Sequence, residues 1–288
     1  MCAKKYDCVV TPDGENSTYG IMFKWIGRNS VVLDVGCARG YFGEALRKYR
    51  DSRCFGIEYD REMREEARAR GVYEEIVDCD LNAATPETFA AWRGKFDRII
   101  MGDVLEHLMS PLSAITALSS CLAPGGSFLV SLPNVAHASV KAELLLNRFR
   151  YTEQGLLDRT HLRFFTAESV ANFMTDSALE IADAGATMMG IEGFSDGSAF
   201  GSLEPAVLRR ILSNVHSYIC QYVCRAVPSQ LPAEELRRRN LGKLDLGFDD
   251  FPPVLRQYAL EQLQKFHCLD CGTSDYRLTG KNFDDLVI

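Results

Sequence analysis

A short apolar run that leads through two glycines into a helix constrains the fold of this chain more than any other segment. Residues 31–35 predict a buried strand, and residues 43–49 predict a helix. Between them, Gly36 and Gly40 allow the backbone to bend sharply and to approach a ligand closely. A strand, a glycine turn and a helix in this order are typical of the first unit of an open α/β sheet.

The same alternation of strands and helices continues to about residue 194. Further strands are predicted at residues 54–57, 76–77, 96–101, 127–132, 180–184 and 187–191, with helices at residues 61–70, 111–122 and 167–174. Strands that alternate with helices of about ten residues form βαβ units, and right-handed crossovers close them into a doubly wound sheet. The sequence therefore predicts an α/β fold with a mostly parallel, seven-stranded sheet.

The composition changes after residue 194, where a linker-like Ser-Asp-Gly-Ser run begins. Pro205 suits the first turn of a helix because its missing N–H costs nothing there, so an amphipathic helix is predicted from Pro205 to about residue 225. Residues 254–268 predict another helix. We therefore predict an N-terminal segment (1–27), a core (28–194) and a helical C-terminal extension (195–288). The extension packs either on the core or on a second copy of the chain, which would make a homodimer, and both alternatives stay open.

Composition and charge exclude several classes of protein. The 288 residues include 32 Lys and Arg against 39 Asp and Glu, so the formal net charge is −7 and there is no global footprint for nucleic-acid binding. No apolar run approaches the roughly 18 residues that a membrane span needs, and residues 1–11 lack the apolar stretch of a secretory signal. The ten cysteines are scattered without a disulfide framework, which predicts reduced thiols in a cytoplasmic protein.

Two cysteine pairs raise the question of a structural zinc site. Cys220 and Cys224 lie one turn apart on the predicted helix, and Cys268 and Cys271 form a CxxC pair beside His267. Nothing in the spacing brings the two pairs to one place, and the first pair also suits an apolar helix face. We therefore predict no metal site.

Acidic residues follow four of the predicted strands. Asp34 precedes Gly36 by two residues, where its charge would repel a diphosphate but would suit a cationic amino group. The G-x-G-x-x-G spacing of a dinucleotide site is absent. Glu58 ends the second strand, at a position where an acid typically binds ribose hydroxyls. Asp80 follows the third strand, where it would meet an adenine amino group, and Asp103 follows the fourth.

These segments together resemble the class I S-adenosylmethionine-dependent methyltransferases over roughly residues 28–194. The resemblance is carried by LDVGCARG at residues 33–40, by Glu58, by Asp80 with Leu81, by GDVLEH at residues 102–107 and by Pro-Gly-Gly at residues 124–126. It implies a Rossmann-like methyltransferase fold with S-adenosyl-L-methionine as the cofactor. The glycine motif would hold the amino-acid end of the cofactor, and Asp103 would close the site.

The resemblance implies a set of cofactor-binding residues: Asp34, Gly36, Cys37, Ala38, Gly40, Tyr41, Phe42, Glu58, Tyr59, Asp80, Leu81, Asp103, Val104 and His107. Ala38 departs from the family, which often has a third glycine there, but alanine is still small. Cys37 is expected to be a packed thiol beside the ligand rather than a nucleophile. A doubly wound fold that has lost its cofactor, or that binds a nucleotide, is the alternative.

Three histidines are candidate catalytic bases, because a hydroxyl acceptor must lose its proton during methyl transfer. His107 and His137 follow the fourth and fifth strands, at the carboxyl edge where ligands bind in this architecture. His161 is the preferred base because Asp158, Arg159 and Thr160 share its short polar loop. The predicted substrate-binding residues are Asn134, His137, Arg159 and His161.

Residues 134–165 form a predicted acceptor-side insert. Its NVAH and DRTHLRFFT motifs resemble methyltransferases of polysaccharide and secondary-metabolite pathways. The stretch 141–163 has five basic residues against three acidic ones, which favours an anionic small-molecule acceptor or is only an ordinary solvated surface.

The predicted function is methyl transfer to a hydroxyl of a sugar or natural product. N-methylation of an amine or peptide, and a non-catalytic cofactor-binding partner subunit, stay open as alternatives. A nucleic-acid substrate is disfavoured, because no Asn/Asp-Pro-Pro-Tyr/Phe loop that could receive a flipped base follows the fourth strand.

Overall fold

The structure is a computed structural model that describes residues 10–191, 193, 195, 197–251, 253–265, 277–278 and 286–287. The strands are β1 (Val31–Val35), β2 (Arg53–Ile57), β3 (Tyr73–Val77), β4 (Phe96–Gly102), β5 (Leu122–Pro133), β6 (Leu179–Met188), β7 (Ile219–Pro228), β8 (Arg277–Leu278) and β9 (Leu286–Val287). The helices are α1 (Thr18–Phe23), α2 (Tyr41–Arg50), α3 (Arg61–Ala69), α4 (Pro111–Ser119), α5 (Ala138–Leu145), α6 (Ala167–Asp176), α7 (Pro205–Leu212), α8 (Ala233–Leu244) and α9 (Pro253–Lys265).

The first seven strands form one mixed sheet in the order β3-β2-β1-β4-β5-β7-β6. The strands β1 to β5 pair in parallel, and β7 runs antiparallel to both β5 and β6. The predicted mostly parallel, seven-stranded sheet is thus confirmed. The chain turns from one half of the sheet to the other between β1 and β4, and open α/β sheets bind their ligands at such a switch point, beyond the carboxyl ends of the strands.

Successive residues of β1 point to opposite faces of the sheet, and each face has its own core. Leu33 lies in a large cluster that α4, α6 and α8 cover, and Val32 lies in a second cluster that α1 and α2 cover. Both strand side chains are fully buried, and each such burial contributes about 1.5–3 kcal/mol. Arg50 of α2 donates to the carbonyl oxygens of Phe23 and Ile26, which fixes the N-terminal helix α1 against the sheet.

The predicted helix over residues 205–225 is wrong in its second half. The helix α7 ends at Leu212, and residues 219–228 form β7, the strand inserted between β5 and β6. Residues four apart share a face in a strand as they do in a helix, so the spacing of Cys220 and Cys224 suits both structures. The apolar, β-branched and aromatic content of Ile219 to Val227 is typical of a strand that is covered on both faces.

The two strands predicted at residues 180–184 and 187–191 are one continuous strand, β6. Consequently, the seventh strand of the sheet comes from the region that the sequence assigns to the helical extension. That region also contains α7, α8 and α9. None of the helices in the described part of the chain is long and apolar enough to cross a membrane.

Candidate active site

The turn after β1 packs against the loop after β4, which joins two segments at the switch point of the sheet. Gly36 and Gly40 have φ values of 67° and 82°. A Cβ atom on Gly36 would lie 2.7 Å from Cγ2 of Val104, so only glycine allows this approach. Ala38, between the two glycines, also has a positive φ, of 45°. Glycine adopts this left-handed conformation at no steric cost, whereas alanine adopts it only with strain.

Asp34 is a buried acid whose partner the sequence did not reveal. Its side chain is on the face of β1 that α2 covers, where the hydroxyl of Tyr73 donates to Oδ2 at 2.7 Å. Burial raises the pKa of Asp34 to about 7, against the hydrogen bond from Tyr73, and the charge of Glu58 raises it further. In the free protein, this carboxyl therefore titrates near neutral pH and would be ionised by a nearby cation.

Glu58 holds the turn after β1 to the loop after β2. Its Oε2 accepts from the backbone N–H of Ala38, and its Oε1 accepts from the N–H of Asp60, both at 2.8 Å. Arg64 fixes the same loop because its guanidinium donates to the carbonyl oxygens of Glu58 and Tyr59. Each carboxylate oxygen has two acceptor sites, so Glu58 retains capacity for ribose hydroxyls. Tyr59 is exposed at the rim.

The loops after β3 and β4 are joined by Asn82, which the sequence analysis missed. Asp80 accepts from the backbone N–H of Asn82 at 2.9 Å, and Oδ1 of Asn82 accepts from the N–H of Met109 at 2.9 Å. Leu81 is buried between them, at 7% exposure. A polar exposed Asp80 next to a buried apolar Leu81 is the arrangement that adenine recognition needs, with one hydrogen bond and one apolar wall.

Asp103 is held by two distant strands. Its Oδ1 accepts from the hydroxyl of Ser131 on β5 at 2.6 Å and from Nε2 of Gln221 on β7 at 2.7 Å. Its φ of 56° is in the left-handed region, and such strain in a non-glycine residue is typical of functional sites. Thr18 of α1 donates to Gln221, so the N-terminal helix also reaches this corner. Sequence reasoning missed Ser131, Gln221 and Thr18, because none lies in a motif.

Three predicted cofactor-binding side chains pack against other parts of the protein. Phe42 is buried against the rings of Tyr19 and Phe23 of α1, at centroid distances of 4.4 and 5.3 Å. Tyr41 lies beneath the guanidinium of Arg70, 3.9 Å from the ring centroid. Cys37 is buried, and burial with the charges of Asp34 and Glu58 raises the pKa of its thiol, so it remains protonated and is not a nucleophile.

His107 and His161 come together on the acceptor side of Asp103. Their ring centroids are 4.8 Å apart, with the planes at 72°. Nδ1 of His107 lies 3.2 Å from the carbonyl oxygen of Thr160, and Nδ1 of His161 lies 3.3 Å from that of Leu156. Burial and the proximity of His107 lower the pKa of His161, so this imidazole is neutral at pH 7.

The His107–His161 pair is supported by the polar loop that precedes it. Thr160 donates its hydroxyl to Asp158 at 2.7 Å, and Asp158 is buried. The backbone N–H groups of Leu162 and Arg163 donate to the carbonyl oxygen of Glu106 at 2.7 and 3.1 Å. The segment after β4 and the insert are thus connected by backbone hydrogen bonds, which fixes the separation of the two rings.

Glu106 is a buried carboxyl beside this pair. It is 1% exposed, and among the described residues no hydrogen-bond partner exists for Oε2. Burial raises the pKa of Glu106 well above its usual value, and the charge of Asp103 raises it further. The sequence analysis did not single out this residue. The sequence feature that could have revealed Glu106 is its position directly before His107, a candidate base.

His137 and Asn134, two of the predicted substrate-binding residues, are fully buried and have structural roles. Asn134 donates to the carbonyl oxygens of His216 and Ile219 at 2.8 and 2.9 Å, which ties the end of β5 to the start of β7. His137 is the N-cap of α5, with Nδ1 2.9 Å from the hydroxyl of Ser139. Burial lowers the pKa of His137 to about 4. Both residues are 0% exposed, so their predicted roles at the substrate stay predictions.

The basic residues of the insert have local partners. Arg159 pairs with Glu153 at 2.5 Å, and Nε of Arg150 lies 4.0 Å from the buried carboxylate of Glu143. Lys141 donates to the hydroxyl of Ser217 at 2.8 Å. Two of the five basic side chains, Arg150 and Arg159, thus face an acid of the same insert, and an anionic acceptor stays a prediction.

The cysteine pairs are in two different situations. Cys220 and Cys224 are free thiols on β7, and Cys224 is buried. Burial raises the pKa of Cys224 to about 12, so it is a packed apolar side chain. Cys268 and Cys271 lie outside the described residues.

Residues 20–183, more than half of the chain, match a family model described as a methyltransferase domain. The chain belongs to this methyltransferase family. The class I resemblance and the Rossmann-like fold that the sequence predicts are confirmed, and S-adenosylmethionine is the cofactor that this membership implies. Asp34, the glycine turn, Glu58, Asp80 with Leu81, and Asp103 line one edge of the sheet in the order that the resemblance gives them.

The chain is similar to ubiquinone biosynthesis O-methyltransferases. The protein from Xanthomonas campestris pv. campestris is 35% identical over 104 residues, which are 36% of this chain and 43% of that relative. The protein from Aromatoleum aromaticum is 28% identical over 170 residues, which are 55% of this chain and 70% of that relative. The chain thus matches less than half the length of the Xanthomonas relative.

Two solved structures have a similar fold. The O-methyltransferase of a trans-AT PKS multienzyme of Brevibacillus brevis, in complex with S-adenosyl-L-homocysteine, has a TM-score of 0.53 and 14% identity, with 86% of this chain and 81% of that chain covered. The O-methyltransferase segment of StiE has a TM-score of 0.52 and 13% identity, with 79% of each chain covered. At these identities, the likeness concerns the fold alone.

Proposed function

We propose that this protein transfers the methyl group of S-adenosylmethionine to a hydroxyl group of a small molecule. The observation that carries the proposal is the His107–His161 pair, in which His107 lies four residues beyond Asp103, next to the candidate cofactor edge. A hydroxyl acceptor benefits from a neutral base at this place, and a neutral amine does not require one. The curated O-methyltransferase relatives are consistent with this assignment.

The residues at the carboxyl edge fit the cofactor in chemistry and in order. Asp34 would pair with the cationic amino group, and Glu58 would bind the ribose hydroxyls. Asp80 and Leu81 would hold the adenine, and Asp103 would lie between cofactor and acceptor. Gly36 lets the turn after β1 pack against the loop after β4, since a Cβ there would lie 2.7 Å from Cγ2 of Val104. When bound, the sulfonium supplies an electrophilic methyl group with a good leaving group, so the chain's main contribution is to position the two reactants.

The histidine pair is oriented to accept a proton. Nδ1 of each ring faces a backbone carbonyl oxygen, which can only accept, and this contact favours the tautomer that leaves the lone pair on Nε2. His161, whose pKa is lowered, is our first choice for the base that takes the hydroxyl proton. His107 would orient it through the ring contact. Arg159, exposed and paired with Glu153, would lie at the rim of the acceptor site.

The insert offers an apolar surface and a cavity to the body of the acceptor. The rings of Phe149, Tyr151 and Phe164 contact one another at centroid distances of 5.3 and 5.7 Å, and Phe164 lies 6.5 Å from His161. Phe149 and Tyr151 are exposed. An adjoining cavity of about 200 Å³ is lined by Leu156, whose carbonyl holds His161, and by the buried Glu143. These features support a natural product or sugar with an apolar face and at least one hydrogen-bond donor.

Product analysis tests the proposal directly. Purified protein is incubated with S-adenosylmethionine carrying a labelled methyl group and with a panel of phenols, glycosides, hydroxylated polyketides and primary amines. We expect labelled methyl ethers, with the wild type active and His161→Gln inactive at unchanged cofactor affinity. Labelled amines without ethers would instead support N-methylation. Micromolar cofactor binding without turnover across the panel would support the non-catalytic partner subunit.

The cellular location, the partners and the oligomeric state are further parts of the proposal. The six cysteines at positions 37, 54, 79, 121, 220 and 224 are free thiols, which is consistent with a reducing, cytoplasmic location. We propose a small-molecule acceptor without a nucleic-acid or membrane partner. A homodimer through the C-terminal helices is tested by light scattering of the full chain.

A further inference from the structure

Three side chains that commonly bind metals converge at the acceptor end of the site. Glu106 and His107 lie in the turn after β4, and His161 comes from the insert. One potential ligand atom of each lies within 4.8 Å of the other two. Bonds of about 2.1 Å hold ligand atoms up to about 4 Å apart, so small side-chain rotations would close the three groups on one ion.

One ring nitrogen of each imidazole faces a backbone carbonyl oxygen. Nδ1 of His107 faces the carbonyl oxygen of Thr160 at 3.2 Å, and Nδ1 of His161 faces that of Leu156 at 3.3 Å. Histidines that bind metals usually donate one ring N–H to a carbonyl or carboxylate, which fixes the tautomer and leaves the other nitrogen for the ion. Here that nitrogen is Nε2 in both rings.

Glu106 supplies the second, independent observation. Its side chain is 99% buried, and Oε2 has no hydrogen-bond partner among the described residues. A buried carboxyl oxygen without a hydrogen-bond partner is costly, because it loses its hydration and gains no hydrogen bond in return. Its two neighbours in this cluster are the imidazoles of His107 and His161. A cation between the three groups would satisfy all of them at once.

We propose that Glu106, His107 and His161 bind a divalent first-row transition-metal ion. Two imidazoles and one carboxylate suit Mn²⁺, Fe²⁺, Co²⁺ or Zn²⁺, whereas Mg²⁺ and Ca²⁺ prefer oxygen ligands throughout. Three protein ligands leave coordination positions open, as in catalytic sites rather than closed structural ones. For these three residues, this proposal replaces the sequence-based prediction that the chain has no metal site.

The role of the ion rests on the proposed function. The acceptor oxygen would occupy an open position, and the ion would lower the pKa of that hydroxyl by stabilising the oxyanion. The O–H bond breaks with its proton passing to solvent water. The oxygen then donates an electron pair to the methyl carbon, and the electrons of the carbon–sulfur bond remain on the sulfur. With the ion bound, His161 is a ligand, and its role as the base falls to the solvent.

Metal binding is tested on the full chain without cofactor or acceptor, which separates this proposal from the methyl-transfer proposal. Protein stripped with a chelator is titrated with Mn²⁺, Co²⁺, Zn²⁺ and, for comparison, Mg²⁺ by calorimetry, and Mn²⁺ is followed by electron paramagnetic resonance. We expect one ion per chain and at least tenfold tighter binding of the transition metals than of Mg²⁺. Failure of the wild type to bind any of the four ions overturns the proposal.

The variants Glu106→Gln, His107→Gln and His161→Gln should each weaken binding at least tenfold. Glu153→Gln, which changes an exposed acid of the same insert, is the matched control and should bind as the wild type does. Because the two histidines are only partly buried, their variants remain informative even if Glu106→Gln does not fold. Equal affinity in both histidine variants and the wild type would contradict the site.

The chemical role has its own readout. Once an acceptor is known, stripped protein should lose methyl transfer and regain it with Mn²⁺ or Co²⁺, while its cofactor affinity stays constant. Full activity in the presence of excess chelator would overturn the role of the ion in the reaction and leave His161 as the base.

Discussion

On the cofactor side, each predicted acid lies at the end of its own strand or just after it, whereas the acceptor side is assembled from segments far apart in the chain. Asp34 and Glu58 are positioned by β1 and β2 themselves. His107 meets Thr160 across 53 residues, and Arg163 donates to the carbonyl oxygen of Met109 across 54. Local strand–loop geometry therefore positions the predicted cofactor-binding residues, whereas tertiary packing brings the predicted acceptor-binding residues together.

The two sides also differ in whether their polar groups have hydrogen-bond partners. The cofactor side is largely satisfied in the free protein, since Glu58 and Asp103 each accept two hydrogen bonds. The acceptor side contains Glu106, whose Oε2 has no hydrogen-bond partner in the described part of the chain. Binding the cofactor would therefore extend an existing network, whereas the proposed ion would give Glu106 the partner that it lacks.

The largest expected effect is on the acceptor side. His161→Gln should lower kcat by about 10²–10⁴-fold, because the histidine activates the acceptor hydroxyl either as base or as ligand. Its cofactor dissociation constant, measured by calorimetry, should change less than twofold. Loss of cofactor binding in this variant would contradict the division of the site into two sides.

The matched control is the other predicted histidine, His137→Gln. His137 caps α5 and is fully buried, so its loss should lower the free energy of unfolding by roughly 1–2 kcal/mol. Its kcat, measured well below the melting temperature, should stay within a few-fold of the wild type. A kcat loss as large as that of His161→Gln, at native stability, would restore His137 to the active site.

The second effect concerns the cofactor side. Asp34→Asn keeps the shape of the side chain but removes the charge that would pair with the amino group. Cofactor affinity should fall by about 10- to 100-fold, the range for a hydrogen bond to a charged group. Tyr73→Phe removes only the donor to Asp34 and should weaken binding less. Calorimetric titration with S-adenosylmethionine compares them, and equal affinity for Asp34→Asn and wild type would remove Asp34 from the site.

How much the sequence predicts follows the same division. The order of acids, glycines and strands gave the family, the parallel part of the sheet and the cofactor edge, since each depends on residues close in sequence. It missed Tyr73, 39 residues from Asp34, and it interpreted β7 as a helix, because a four-residue spacing suits both structures. The sequence also could not show that Asn134 and His137 are fully buried, because burial depends on what packs over a strand end.

A smaller, pH-dependent effect tests the buried acid. The pKa of Asp34 is raised to about 7 in the folded protein, so it is protonated below that value and must lose its proton to pair with a cation. Cofactor affinity should therefore rise with pH, by up to about tenfold per pH unit below 7, and level off above it. Calorimetry in buffers of different ionisation enthalpy should show proton release on binding below pH 7. Affinity independent of pH between 5.5 and 8 would show that Asp34 is ionised already.

The same shift affects stability in the opposite direction. An acid that stays protonated in the folded state up to about pH 7, and ionises near 3.9 when unfolded, favours folding at low pH. That contribution is complete below pH 4 and is lost as the pH rises to 7. The neighbours that act on this carboxyl are Tyr73 and Glu58. Asp34→Asn removes this dependence. The free energy of unfolding of Asp34→Asn relative to that of the wild type should therefore rise from pH 4 to pH 7.

The smallest effect concerns the turn after β1. Ala38 has a φ of 45°, where alanine costs about 1–2 kcal/mol relative to glycine, while glycine costs roughly 0.4–1 kcal/mol in unfolded-state entropy. Ala38→Gly should therefore stabilise the fold by up to about 1 kcal/mol. Ala45→Gly, in the interior of α2, is the control and should destabilise by about 1 kcal/mol. Denaturant unfolding measures the free energy of unfolding of both variants.

The strain at Ala38 also bears on the cofactor site, because Glu58 accepts from the N–H of Ala38. If Ala38→Gly is more stable but binds the cofactor more weakly, the strain contributes to the cofactor site and not only to the fold.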